Sequence, residues 1–247
     1  MYVAPGQVVE AQAAWLRAAA AYLGETWQPF EGDELMAQWL APDLRLAHTC
    51  GYPLVKQLGG RVKVVGTPRY ELPHSSGGTH CSLVLCREQA PFACLADARG
   101  SRGLVNGWDS NSGMNLFRHS LQAVHDGAFF SDVVVTGGHR ASLRHLRQGL
   151  GDLAAVDSVT YDYLARDHSE EVQGLRVLAR SVPSPCLPFI TSRQSADAEV
   201  EALRDALNRA LPPFAAALGI EEVMPPADYG VLLQLEAQVN GSRFAWA

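Results

Sequence analysis

The chain lacks any apolar run near the roughly 18 residues needed to span a bilayer, and its first 25 residues lack the charged start and short apolar core of an export signal. No membrane insertion is therefore expected, and the chain as written reads as cytoplasmic. It also lacks an excess of positive charge. Its 26 acidic residues outnumber 20 basic ones, for a formal net charge of -6, and Lys and Arg are scattered along the sequence, so nucleic acid is not an expected partner. Five cysteines leave at least one unpaired, which fits a reducing compartment better than a disulfide framework. No internal repeat is visible.

Signatures of catalysis and cofactor binding are missing as well. There is no Gly-x-Gly-x-x-Gly dinucleotide loop, no phosphate-binding loop with a Lys, no Gly-x-Ser-x-Gly elbow and no His-Glu-x-x-His metal helix. Cys81 and Cys86 are five residues apart on an expected strand, so they face opposite sides and do not share an ion. No cofactor and no metal are expected. Cys50, in Thr49-Cys50-Gly51-Tyr52-Pro53 at a strand end, is the one candidate nucleophile, weighed against the commoner small buried cysteine.

What is present suits a folded chain. The 247 residues are 47% hydrophobic and 19% charged, enough for one large domain or two lobes. Val8 to Leu23 has helical apolar spacing and stops at Gly24. Strand-like runs follow at Leu44 to Thr49, Val62 to Gly66 and Ser82 to Cys86. Leu104 to Asn106, Asp132 to Thr136 and Leu153 to Asp157 then alternate as strands with helices over Gly113 to Val124 and His139 to Leu150, which predicts an α/β fold with largely parallel sheets. Leu175 to Ala179 and Phe189 to Thr191 read as strands, and Ala196 to Ala217 and Ala227 to Val239 as helices. Pro183, Pro185 and Pro188 mark a linker or hinge.

One feature occurs twice: a strand, a loop of small hydrogen-bonding residues, then an amphipathic helix. The first loop runs from Asn106 to Gly113 and the second is Thr136-Gly137-Gly138-His139. Free backbone N–H groups at a helix start favour phosphate, sulfate or carboxylate, and Ser110, Asn111, Ser112 and His139 add donors. The alternative is that Ser110 or Ser112 is an N-cap and Gly138 a turn residue. Two such loops at strand ends in one α/β lobe favour a binding site. Asp109 complicates it, because a carboxylate beside the cradle repels an anion unless it points away. Tyr2, Tyr52, Tyr70 and His80 are candidates to close over a ligand from the other half of the chain.

Thr49-Cys50-Gly51-Tyr52-Pro53-Leu54, Val65-Gly66-Thr67-Pro68-x-Tyr70, Asn106-x-x-x-Ser110-x-Ser112-Gly113, Thr136-Gly137-Gly138-His139-x-x-Ser142-Leu143 and the stretch from Gly151 to Thr160 resemble the phosphate/phosphite/phosphonate-binding proteins of ABC transporters, the PhnD-like solute-binding family. The motifs keep their order over nearly the whole chain. The resemblance implies a type 2 periplasmic-binding-protein-like fold, two α/β lobes joined by a two-stranded hinge with the ligand cleft between them. Lobe 1 would combine 1–86 with 181–247, and lobe 2 would be 87–180. It implies that Ser110, Asn111 and Ser112 hold the phosphoryl oxygens, that His139 donates from the second helix, and that Tyr52 and Tyr2 line the cleft. His80 stands where the family has an aromatic residue. Asp157 matches an acidic or polar family position, able to accept a bond from a ligand hydroxyl or amine. Pro185-Cys186-Leu187-Pro188 offers no acidic residue to hold the amine of an aminophosphonate. Met1-Tyr2 looks like the end of the family's first strand. The implied role is binding a small oxyanion without chemistry, with an ABC permease as partner and a periplasmic location.

Two further readings stand beside this one. The same fold serves biosynthetic enzymes acting on small carboxylates, with Cys50, His80 and Asp157 as acid, base or nucleophile. A binding fold retained only to engage a protein partner is the other, and intact Ser110, Ser112 and His139 speak against it.

Overall fold

The computed structural model describes residues 5–29 and 34–247. Tyr2 lies outside them. In chain order the elements are α1 (Gly6–Tyr22), α2 (Leu35–Trp39), β1 (Ala47–His48), α3 (Gly51–Lys56), β2 (Val62–Tyr70), β3 (Thr79–His80), β4 (Ser82–Arg87), β5 (Arg102–Val105), α4 (Leu116–Gln122), β6 (Asp132–Val135), α5 (His139–Arg147), β7 (Leu153–Asp157), α6 (Ser158–Asp167), β8 (Leu175–Arg180), β9 (Ser184–Pro185), β10 (Phe189–Ser192), α7 (Asp197–Ala210), α8 (Ala215–Leu218), β11 (Ile220–Met224) and α9 (Val231–Asn240). They form two units, one made of the chain up to Thr79 with Pro185–Tyr229, the other of His80–Ser184 with Gly230–Ala247.

In the first unit α1 buries a stripe of Val8, Trp15, Leu16 and Ala19. The Trp15 indole donates to the Leu207 carbonyl of α7 at 2.8 Å and meets Phe189 edge-on, so one side chain ties two helices to a strand. Trp15→Ala removes that contact and should cost about 3 to 5 kcal/mol. The sheet runs β1-β10-β2-β11 with every pair antiparallel. The antiparallel pairing leaves no mark on the sequence, because apolar runs report burial and not strand direction.

The second unit has a five-stranded sheet in the order β6-β5-β7-β4-β8. β5 is parallel to β6 and β7, while β4 is antiparallel to β7 and β8. One face packs Cys81, Leu83 and Leu85 against Leu143 and Leu146 of α5 and Leu164 of α6. The other packs Val84 and Cys86 against Phe117 and Leu121 of α4. Cys81 and Cys86 thus do face opposite sides, and all five cysteines are free thiols. The C-terminal segment closes the second face, Phe129 and Phe130 donating to the carbonyls of Ala245 and Trp246 at 3.1 and 2.7 Å.

The division corrects the boundaries anticipated at 86 and 181. β4 is buried on both faces between β7 and β8, so it belongs to the second unit, and so do α9 and the C-terminal segment, which were assigned to the first lobe. A run of apolar residues gives a strand, but which sheet it joins is decided by partners 69 to 97 positions away in β7 and β8.

Candidate functional site

β5 ends at Val105 and the chain turns through Asn106–Ser110 into a single π-type turn, Asn111–Asn115, before α4. The turn is widened by one residue: Asn115 N–H reaches the Ser110 carbonyl at 3.1 Å. Ser110 is the N-cap, its Oγ accepting from Gly113 N–H at 3.1 Å. Gly113 is dictated by crowding, since an added Cβ would overlap Asn106 Oδ1 and stand 3.2 Å from His139 Cε1. The second loop turns at Gly137, whose φ of +86° suits glycine, and delivers His139 as the first residue of α5.

These two helix starts converge with the end of β7. Ser112 Oγ lies 2.9 Å from His139 Nε2, and the same nitrogen lies 3.3 Å from Asp157 Oδ2. Nε2 thus stands between a hydroxyl and a carboxylate, while the ring also interacts with the Ala155 backbone. Asp157 also caps α6, Oδ1 accepting from Thr160 N–H at 2.8 Å. Ser82, opposite Asp157 across the β4–β7 ladder, donates its hydroxyl to the Ser112 carbonyl at 2.9 Å and fixes the first loop to the sheet. His80 enters from the end of β3 and interacts electrostatically with both Asp157 and His139. Burial pushes both imidazoles below their ordinary pKa, with the Asp157 carboxylate pulling back in each case. Two buried imidazoles held neutral around one buried carboxylate are the electrostatic character of this site.

Ser112, His139, Asp157 and His80 thus lie together. Ser110 has the N-cap role that the sequence offered as its alternative. The Asn111 amide is engaged at both ends, donating to Ser184 Oγ at 2.9 Å and accepting from Asn115 at 3.3 Å, so its side chain is committed within the unit. Asp109 is exposed; the carboxylate that matters is Asp157. Tyr52 belongs to the first unit, buried on α3 with Lys56 Nζ 5.9 Å from its ring centroid, and Tyr70 is buried in β2 of the same unit. Cys50 is the N-cap of α3, in the first unit, whereas His80 and Asp157 are in the second. Sequence reading missed Ser82 and the N-terminus of α6; Asp157 followed by Val159, Tyr163 and Leu164 on one face was the signal for that helix.

Helix starts gathered at the C-terminal ends of parallel strands, in an α/β chain of two units, define the periplasmic-binding-protein class of solute binders. The family of ABC-transporter phosphonate periplasmic substrate-binding proteins matches residues 41–213, and the chain belongs to that family. It is a solute-binding protein, of a family that is periplasmic and not enzymatic. A binding-protein component of an ABC phosphonate transporter from Pseudomonas aeruginosa is 15% identical, covering 96% of this chain and 83% of that one with a TM-score of 0.76. PhnD1 from Prochlorococcus marinus (MIT 9301), solved with methylphosphonate, is 11% identical, covering 97% and 95% with a TM-score of 0.77. At these identities the likeness is one of fold. No curated protein matches the chain. Among the described residues no helix is long and apolar enough to cross a membrane.

Proposed function

We propose that the ligand is a small phosphorus oxyanion, phosphate, phosphite or a phosphonate, bound in the second unit on the backbone N–H groups of Asn111 and Ser112, the Ser112 hydroxyl and His139, for delivery to an ABC permease. The observation that carries this reading is the Ser112–His139–Asp157 cluster at two helix starts. The helix starts and the Ser112 hydroxyl supply donors for oxygens that carry negative charge, and His139 adds one when a bound anion favours its protonated form. Asp157 supplies an acceptor, and a buried carboxylate beside an anion is tolerable only when the ligand brings a hydrogen to it. A P–OH group does so; sulfate, fully ionised, does not. The family's location supports the periplasm as the place of action.

Titration calorimetry with methylphosphonate, phosphite, phosphate and sulfate tests it. At least one phosphorus ligand should bind at neutral pH and sulfate should not. Ser112→Ala and His139→Ala should each weaken binding tenfold or more, and Asp157→Asn should admit sulfate. A ligand at 100 times its Kd raises stability by about 2.7 kcal/mol, which a thermal melt also registers. Sulfate binding as tightly as phosphonate, or binding indifferent to Ser112 and His139, would overturn the assignment.

A further inference from the structure

At the opposite end of the same sheet is a second feature with its own chemistry. β4 runs from Ser82, beside Asp157, to Arg87, five steps or about 17 Å away at strand rise. There Arg87, Arg144 and Arg147, with Gln89, Gln148 and Gln173, line a cavity of about 490 Å³. All six belong to the second unit.

The arginines do not have one explanation. Arg87 is a structural cap: Nη1 donates to the carbonyls of Leu146 and Gly151 at 3.1 and 2.7 Å, and Nη2 to Asp152 at 3.0 Å. Arg102 takes the Gly149 carbonyl at 2.7 Å. The carbonyls leaving the C-terminus of α5 are thus served without Arg144 or Arg147. Among the described residues neither of those two guanidinium groups makes a side-chain hydrogen bond or an ion pair within 4 Å. The carboxylates nearby are committed elsewhere, Asp152 to Arg87 and Arg102 and Glu171 to Arg140, with Arg147 reaching Glu171 only through its longer-range field. Glu88 is exposed, does not line the cavity, and its backbone is bonded to Gly174. In a chain of net charge -6, this leaves an open cavity lined by two unpaired cations, the ion-paired Arg87 and three carboxamides, most of them exposed.

We propose that this cavity is a second anion site, distinct from the one at Ser112 and His139, and that it takes a linear polyphosphate group of two or more phosphates. Guanidinium forks match phosphate oxygens two at a time, and the volume, within the usual range of ligand pockets, far exceeds a single tetrahedral oxyanion. The two unpaired guanidinium groups, Arg144 and Arg147, stand one turn apart on α5, which suits charges spaced along a chain.

The test is titration calorimetry of the full chain at 0.15 M salt with pyrophosphate, tripolyphosphate, ATP and sulfate. Tripolyphosphate should bind at least tenfold more tightly than sulfate. The Arg144→Gln/Arg147→Gln double variant should lose tenfold or more of that affinity, while Ser112→Ala should leave it unchanged. ATP matching tripolyphosphate supports the site and assigns it to the phosphate chain; ATP binding more tightly supports it and adds contacts to the nucleoside. Affinity untouched by the double variant, or lost in Ser112→Ala, overturns the proposal. In the unsubstituted protein, amide exchange at 144–148 and 173–174 should slow on adding tripolyphosphate, and no slowing there overturns it as well.

Discussion

The two ends of the second unit's sheet handle charge in opposite ways. At the Asp157 end the ionisable groups are buried, two imidazoles are held neutral, and one carboxylate accepts from a backbone N–H and faces a ring nitrogen. At the Arg87 end the groups are permanently charged and partly open to water, Arg87 being 29% exposed in its side chain. One helix joins them, since α5 begins with His139 and ends with Arg147. Strand direction explains the difference. β5, β6 and β7 all end at the first site, so helix N-termini, with free N–H groups, gather there. Their starting ends lie by the C-terminus of α5, where free carbonyls call for cations. Arg87 and Arg102 answer that call and Arg144 and Arg147 exceed it.

The largest expected effect separates the ends by acid. Buried His80 and His139 have folded pKa values below the ordinary value near 6.5, so the unfolded chain binds more protons and stability falls as pH drops below about 6.5, until the folded pKa is reached. His48 in the first unit, stacked on Phe189 and lowered by burial to about 3, acts in the same direction. It alone should cost roughly 2.7 kcal/mol between pH 6.5 and 4.5. Urea denaturation across this range should show the loss. His139→Gln should reduce it by that residue's share, leaving the part due to His48 and His80, and Arg144→Gln should leave it as it is. A bound oxyanion raises the His139 pKa, so the extra stability conferred by the ligand should grow as the pH falls, the reverse of the free protein's trend.

Next in size is Gly113→Ala. The new methyl displaces the part-buried Asn106 side chain and presses on His139, an overpacking that should cost about 2 to 3 kcal/mol and abolish oxyanion binding together. Polyphosphate binding at the other end should survive in whatever fraction remains folded, which calorimetry at low temperature would register.

Legibility in the sequence followed the range of the interactions. β7 over Leu153–Asp157 and the helix start at His139 are local patterns and were read to the residue. The helix expected from Gly113 begins instead as the wide turn at Asn111, because the bond from Asn115 to Ser110 that shifts its register leaves no mark on apolar spacing. The role of Asn111 was hidden by a partner 73 positions away, Ser184. The direction of the first unit's strands was hidden for a similar reason: β10 reaches β2 from more than a hundred residues along the chain. The arginine cavity was the least legible of all. Its cations read as scattered along the sequence, and only the packing of α5 on β4 and β7 brings Arg87 to Arg144 and Arg147.

The smallest effect sharpens the comparison within the Arg87 end itself. Arg87→Ala removes bonds to two carbonyls and a carboxylate that are only partly reached by water, and should cost about 1 to 2 kcal/mol in chemical denaturation. Arg144→Ala removes an exposed side chain without a bond and should change stability by less than about 0.5 kcal/mol. Both remove one positive charge, so a general need to balance the acidic chain would make their costs alike. A clear gap assigns Arg87 to holding the end of α5 and leaves Arg144 free for a ligand. Equal and large costs would mean that Arg144 too caps the helix, and the second anion site would lose the free cation it rests on.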